Sequence, residues 1–515
     1  MKYHWWLYLI YAVGLLLGLG PSYIHPDEHF QCIEILVMRF TNSKGTVPWE
    51  FDPRFAARSY VPLLLVYGPL FTILKIFSYF QNNPISILYL MRLQNYLMII
   101  LCGNYIIPKL IRGDTKAVQS IKKFLFLTSY VTWTYQTHTF SNSVETLILM
   151  KTLTVMESIA DEKNTEKNCY KKSILLGLMI SLGVFNRVTF PAFILLPCLV
   201  LFWKFYRTHW QSISLLSFSF LASSCLIVLI DTKIFKNGKG LIIAPWNNLK
   251  YNIDIQNLQL HGLHSRYTHL LVNLPQMLGP ALLLAILSGY KLNQLSTYSI
   301  VSGILFLSLF QHQELRFLIP LVPLFITNLS WTRSSSILVN STLFKGAWLL
   351  FNIIMGFIMG ISHQSGIVQF LGDYSRFHSG PMGVHLWWKT YSPPTWMYMD
   401  NSLRVSSVVN LQNGVESIDE ISFNVTDHHV IDLKGCDLQL LKDTIKRLQL
   451  KGMQTPLTLV TSDSMISKLK KLEVDEEIKL KPKRHYLSHL DLDHFDFNDL
   501  TSFKPGLTAY SIEQL

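Results

Sequence analysis

The chain has 515 residues, half of them apolar and 13% aromatic, with only 15% charged and a mean hydropathy of +0.27. Soluble domains carry about 25% charged residues, so the deficit excludes an ordinary soluble protein and points to lipid. The formal charge of +12, from 45 basic against 33 acidic side chains, does not form a nucleic-acid face. The basic residues recur in small clusters between apolar runs, as at Lys109, Arg112, Lys116, Lys122 and Lys123, then Lys163, Lys167, Lys171 and Lys172, then Lys204 and Arg207, the pattern of cytosolic loops in a polytopic protein.

From the N-terminus, Tyr3, Trp5 and Trp6 open an apolar run to Gly20 with no small-x-small cleavage site after it, which predicts an uncleaved signal anchor. Residue 1 is then cytosolic and residues 21 onward lie outside. Further apolar segments at 61–80, 85–108, 124–136, 144–158, 173–203, 211–230, 269–290, 296–311, 316–332 and 346–361 approach the roughly 20 residues a helix needs to cross a bilayer. The 173–203 run is long enough for two spans, broken at Asn186, Arg187 and Pro191. Nine to eleven crossings are expected. If 61–80 and 85–108 both cross, however, the basic loop 109–123 lands outside, against the positive-inside tendency. One of the two is re-entrant or interfacial, or the rule fails here. From 204 onward the signals agree, with 204–209, Lys291, Arg333 and Lys345 inside and 231–268, 311–316 and the tail outside.

The expected fold is an all-α polytopic membrane protein with a small lumenal α+β C-terminal domain. Residues 1–361 form the transmembrane catalytic domain, with a first lumenal loop at 21–60, and 362–515 form the lumenal tail. In that tail an amphipathic pattern predicts a helix over 438–450 capped by Asp437, flanked by strands near 429–433 and 456–460. Of three glycosylation sequons, Asn424 falls in the outer tail, while Asn328 and Asn340 adjoin an inner loop. The cysteines at 32, 102, 169, 198, 225 and 436 show no metal spacing and read as packing residues. His489, Asp491, Asp493, His494 and Asp496 read as a polar surface turn.

Two clusters carry chemistry. The first outer loop opens with His25, Pro26, Asp27, Glu28 and His29. Acidic pairs directly after a span lose hydration beside a low-dielectric slab; the plainer alternative is that they open a helix after Pro26, complementing its dipole. The second is His312, Gln313, Glu314, Leu315, Arg316 and Phe317, where helical spacing stacks His312 over Arg316 as two donors for a phosphate oxygen. Its alternative is Arg316 snorkelling to headgroups, paired with Glu314. On one membrane face, a carboxylate to take a hydroxyl proton and cations to steady a departing phosphate suit sugar transfer from a polyprenyl phosphate. Asn142 and Glu145 lie beside a span end as cavity or acceptor candidates. Arg187, inside an apolar run, costs about 2.5–3.5 kcal/mol on insertion scales unless it meets a partner or water.

At these residues the chain resembles the GT-C superfamily, within it the dolichol-phosphate-mannose-dependent mannosyltransferases of glycosyltransferase family twenty-two. The matching pieces are the stretch at 25–31, Tyr135 to Glu145, Arg187 with Thr189, the stretch at 312–317, and Ser392-Pro393-Pro394. Two departures are His29, where relatives often have Val, and Gln313, where they often have Lys. The resemblance implies a GT-C-like helical bundle in the endoplasmic reticulum membrane and an inverting transfer from dolichyl phosphate mannose, without further cofactor or metal. The acceptor it implies is the third mannose of the GPI glycolipid precursor, in α-1,2 linkage. Asp27 is then the expected base with Glu28 orienting it or the acceptor, and His25, His312, Glu314 and Arg316 serve the donor phosphate. Another lumenal GPI or N-glycan-precursor acceptor fits the same residues. A transporter or lipid scramblase fits less well, because the polar motifs sit at span ends and no internal repeat is visible.

Overall fold

The computed structural model describes residues 5–41, 43–77, 83–161, 166–236, 240–254, 257, 264–377, 383–410, 416–418, 428–450, 456–476 and 478–514. The chain divides into two compact units: one of residues 1–18, 48–69 and 91–356, the other of 19–47, 70–90 and 357–515.

The first unit is helical. Among the described residues, three helices of the chain are long and apolar enough to cross a membrane, Pro84–Leu110, Trp210–Phe235 and Thr342–Ser362. A fourth candidate, His269–Leu278 with Ala281–Leu287, bends by 116° at Gly279-Pro280. Gly279 has φ +51 and Pro280 follows it, so the chain leaves the helical path where one residue tolerates a left-handed backbone and the next lacks a donor N–H. The remaining expected spans are shorter or carry charge. The 124–136 segment is not one helix: Lys116–Leu127 ends at Thr128 and a single turn, Tyr130–Trp133, follows. The 173–203 run does split, into Glu166–Asn186 and Phe190–Lys204. Two short strands, Gly289–Tyr290 and Leu329–Ser330, pair antiparallel, so even this unit is not purely α.

Polar clusters mark two ends of this unit. At one, Asp114 pairs with Lys122 at 2.9 Å and with Lys291 at 2.5 Å, Arg112 pairs with Asp161 at 2.8 Å, and Lys204 donates to the Asn293 carbonyl. The buried Lys122 ammonium also donates to the Thr327 carbonyl at 2.8 Å. At the other, Glu50, Arg58, Ser141 and Arg187 interlock. The helix Ser141–Ala160 joins them, and its 20 residues at 1.5 Å each measure about 30 Å, one hydrocarbon thickness. The basic loop 109–123 thus shares an end with Lys204 and Lys291. Of 61–80 and 85–108, whose crossing the sequence leaves open, only the latter lies among the described residues in a helix long and apolar enough for a full span, while Tyr60–Ile76 has 17 residues and Pro69 inside.

The second unit holds a seven-stranded mixed sheet in the order Glu416–Ile418, Arg404–Asn410, His429–Asp432, Val384–Trp388, Leu457–Ser462, Leu507–Gln514, Ile478–Tyr486. The four strands from Arg404–Asn410 to Leu457–Ser462 run parallel. Val384–Trp388 lies at the centre and is buried at every position, as a strand covered on both faces is, with its one polar residue, His385, bonded to the Tyr398 hydroxyl. The helix Leu438–Leu450 presents Leu441, Ile445 and Leu448 to the sheet core. Asp437 accepts from the Leu440 N–H at 2.8 Å, as the sequence predicts. The 489–496 stretch is a surface turn only in part, with Asp493 and Asp496 exposed. His489 and Asp491 are buried, with Asp491 accepting from Gln364 and Ser464.

Candidate active site

The acidic motif at 25–31 lies in the second unit. A helix starts at Asp27, because Pro26 fixes the entry backbone and its carbonyl accepts from the His29 and Phe30 N–H groups. The Asp27 N–H itself donates to the His25 ring Nδ1 at 3.2 Å. The next turn, His29–Ile33, is π-helical, a widening frequent at functional sites. Gln31, four residues on, donates to the Asp27 carboxylate, and His25 Nδ1 lies 3.7 Å from it. Asp27 keeps a fifth of its side chain exposed, whereas Glu28 is fully buried. The two neighbouring carboxylates therefore have different environments, one reachable and one enclosed.

The second motif lies in the first unit and is not helical where expected. Glu314 has an extended backbone and the short turn Leu315–Leu318 follows it, so His312 and Arg316 are not stacked at helical spacing. They are joined through Glu314, which receives His312 Nε2 at 2.7 Å on one oxygen and Arg316 Nε on the other. Arg316 is buried, which argues against snorkelling. Gln313 points into the protein. It accepts from the His269 N–H at 2.8 Å and donates to the Arg266, Ser308 and Phe310 carbonyls. A neutral amide here ties the turn together, which a lysine at the same place cannot do with the same bonds.

Arg187 meets the partner its cost requires. Its Nε lies 3.3 Å from Glu145 Oε2, and its Nη1 donates to Ser141 Oγ at 2.7 Å. Thr189 donates to the other Glu145 oxygen at 2.7 Å. The guanidinium carbons of Arg187 and Arg316 each lie 5.5 Å from the Phe317 ring centroid, so Glu145, Arg187 and the 312–317 motif form one buried polar cluster. Asn142 is fully buried on the same helix turn. Sequence reasoning missed Glu50 and Arg58, paired at 2.7 Å, with Arg58 sharing Ser141 with Arg187. Their loop, Trp-Glu-Phe-Asp-Pro-Arg-Phe-Ala-Ala-Arg, carries no local signal that distinguishes them from solvated charges. Asn424 lies outside the described residues. Asn328 is buried and accepts from Ser296 and Thr297, so its sequon has no room for a glycan.

The chain is largely helical and apolar, with a partly exposed carboxylate at Asp27 and a buried arginine cluster around Glu145. Its fold matches that of ArnT from Cupriavidus metallidurans, solved bound to undecaprenyl phosphate, with a TM-score of 0.52 over 99% of this chain and 98% of that one at 12% identity. The Alg9-like mannosyltransferase family matches residues 5–400, and the chain belongs to that family; it is a mannosyltransferase. It is 71% identical over the full length of both chains to GPI mannosyltransferase 4 of Saccharomyces cerevisiae. The proteins of that name from Eremothecium gossypii and Candida glabrata are 41% and 40% identical, over 98% and 95% of this chain and 98% and 96% of their own.

Proposed function

We propose that the chain is a polytopic enzyme of the endoplasmic reticulum membrane. Its reaction is transfer of mannose from dolichyl phosphate mannose to the third mannose of a GPI-anchor precursor, in α-1,2 linkage, on the lumenal face. The observation that carries this reading is the end-to-end 71% identity to a GPI mannosyltransferase 4. The chemistry is a single displacement. The acceptor hydroxyl oxygen attacks the donor's anomeric carbon, its proton passes to a carboxylate, and the bond from that carbon to the phosphate oxygen breaks, inverting β to α.

Asp27 is the base, supported by its partial exposure and by the Gln31 amide that orients it. Glu28, enclosed beside it, orients the turn or the acceptor. Arg316 and His312 steady the phosphate as it leaves. Engagement of Arg316 Nε by Glu314 fixes the guanidinium plane, and the terminal nitrogens of that fork suit phosphate oxygens. His25, against the Asp27 turn, contributes to the same donor. Asn142, Glu145 and Arg187 serve as a polar wall for the acceptor. The donor is the lipid-linked sugar, and the reading needs no further cofactor.

The clustering of Arg112, Lys204 and Lys291 at one end of the first unit supports a cytosolic placement of that end. In cells depleted of the chain, a trimannosyl GPI lipid is expected to accumulate. Accumulation of truncated dolichol-linked oligosaccharide instead would move the enzyme to the N-glycan precursor. Microsomes carrying Asp27→Asn are expected to lose at least about a hundredfold in transfer while protein abundance holds; undiminished transfer would remove Asp27 from the base role.

A further inference from the structure

Glu34 lies seven residues beyond Asp27, across the π-helical turn, and is fully buried. Its Oε1 accepts three hydrogen bonds: from the Thr46 N–H at 2.8 Å, the Thr395 hydroxyl at 2.5 Å and the Trp396 N–H at 3.0 Å. Thr46 and Thr395 are also tied directly, hydroxyl to hydroxyl at 2.9 Å. A side-chain carbon at Gly45 would collide with the same Glu34 oxygen, so the loop closes over the carboxyl only with glycine there. The second oxygen, Oε2, is buried and has no hydrogen-bond partner among the described residues.

The acidic pair is held on its other side as well. The Tyr23 hydroxyl donates to the Ser392 carbonyl at 2.9 Å, and its ring meets Tyr391 edge-on at 5.5 Å. Between these anchors, His29 accepts from the Trp396 indole N–H at 3.2 Å and packs edge-on against Tyr23 at 4.7 Å. Residues 23, 29 and 34 are therefore all fastened to one stretch, Tyr391 to Trp396, which contains Ser392-Pro393-Pro394. The two prolines fix the backbone of that stretch, so it offers a stiff rail.

We propose that Glu34 and the Tyr391–Trp396 rail form a clasp that holds the Asp27–Glu28 turn in the orientation needed for proton transfer, which makes Glu34 a positioning residue of the reaction proposed above. The inference rests on that reading. A buried carboxyl is an expensive way to accept three hydrogen bonds, and burial pushes its pKa up to about 8, so at neutral pH the group is the neutral acid. A glutamine reproduces the accepting oxygen, while an alanine removes it and leaves the Thr46 and Trp396 N–H groups to find other partners.

The test uses the full-length chain purified in detergent, with labelled dolichyl phosphate mannose and a trimannosyl GPI acceptor, and rates divided by folded protein. Glu34→Ala is expected to lower kcat about tenfold or more with the donor KM unchanged, since small misplacements of a base cost up to about a hundredfold. Glu34→Gln is expected to recover most of the wild-type kcat, and Thr395→Val to lose a few-fold. Wild-type kcat in both Glu34→Ala and Thr395→Val, or losses confined to abundance or KM, would overturn the clasp. If Glu34→Ala does not fold, Thr395→Val decides. A wild-type chain that transfers no mannose to this acceptor overturns the proposed function instead, so the two failures are separable.

Discussion

An arginine in an apolar run must have a partner, and Arg187 finds Glu145, Ser141 and the Phe317 face. Removing one partner of a buried pair leaves an uncompensated charge, so Arg187→Ala should destabilise by about 3–5 kcal/mol. The double variant Arg187→Met with Glu145→Leu should recover much of that, read as melting temperature in detergent. The need for a partner is legible in the sequence, but the identity of the ion-pair partner is not, because Glu145 and Ser141 lie 42 and 46 positions away in the chain. Glu34 carries a second prediction. Its folded pKa lies above its unfolded value, so between the ordinary carboxylate range and about 8 the native chain holds a proton that the unfolded chain has released. Stability must then fall as pH rises through that window and level off above it. Wild type should lose stability relative to Glu34→Gln as pH is raised from about 5 to 8; parallel melting curves would contradict this.

Among the elements, those set by local pattern were legible and those set by tertiary context were not. The helix Leu438–Leu450 and its Asp437 cap follow from periodicity and one capping residue. The break at Arg187 follows from the polar residues and proline around it. The 312–317 motif fails as a helix because Glu314 is drawn between His312 and Arg316 and Gln313 is spent on backbone carbonyls, which local spacing does not encode. Helix contact depends equally on distant residues. At Gly177 an added side-chain carbon would lie 2.5 Å from the Leu216 carbonyl oxygen and 2.9 Å from the Phe220 nitrogen, so the helices Glu166–Asn186 and Trp210–Phe235 approach backbone to backbone there. Gly177→Leu should destabilise by about 1–3 kcal/mol or more through overpacking, measured by detergent melting, whereas a substitution at Gly113, where nothing lies within 4 Å, should be neutral.

For the molecule as a whole, composition alone pointed to lipid, and the exposed apolar side chains along Trp210–Phe235, such as Leu221, Leu226 and Leu229, fit a surface that faces hydrocarbon. The charge pattern is self-consistent after residue 204, and the 109–123 loop, left open by the sequence, is tied to Lys291 because Asp114 bridges Lys122 and Lys291. Single cysteines at positions 112 and 291 should therefore be labelled from one side of sealed microsomes, and cysteines at 56 and 264 from the other. The acidic motif was legible as a pair, whereas the separate environments of Asp27 and Glu28 needed the fold. The most direct measurement of the central claim is mannose transfer by the purified chain from labelled dolichyl phosphate mannose to a trimannosyl GPI lipid. The account predicts a product one mannose longer, its label released by an α-1,2-mannosidase, and none with Asp27→Asn. No product from the wild-type chain, or the same product from Asp27→Asn, would contradict it.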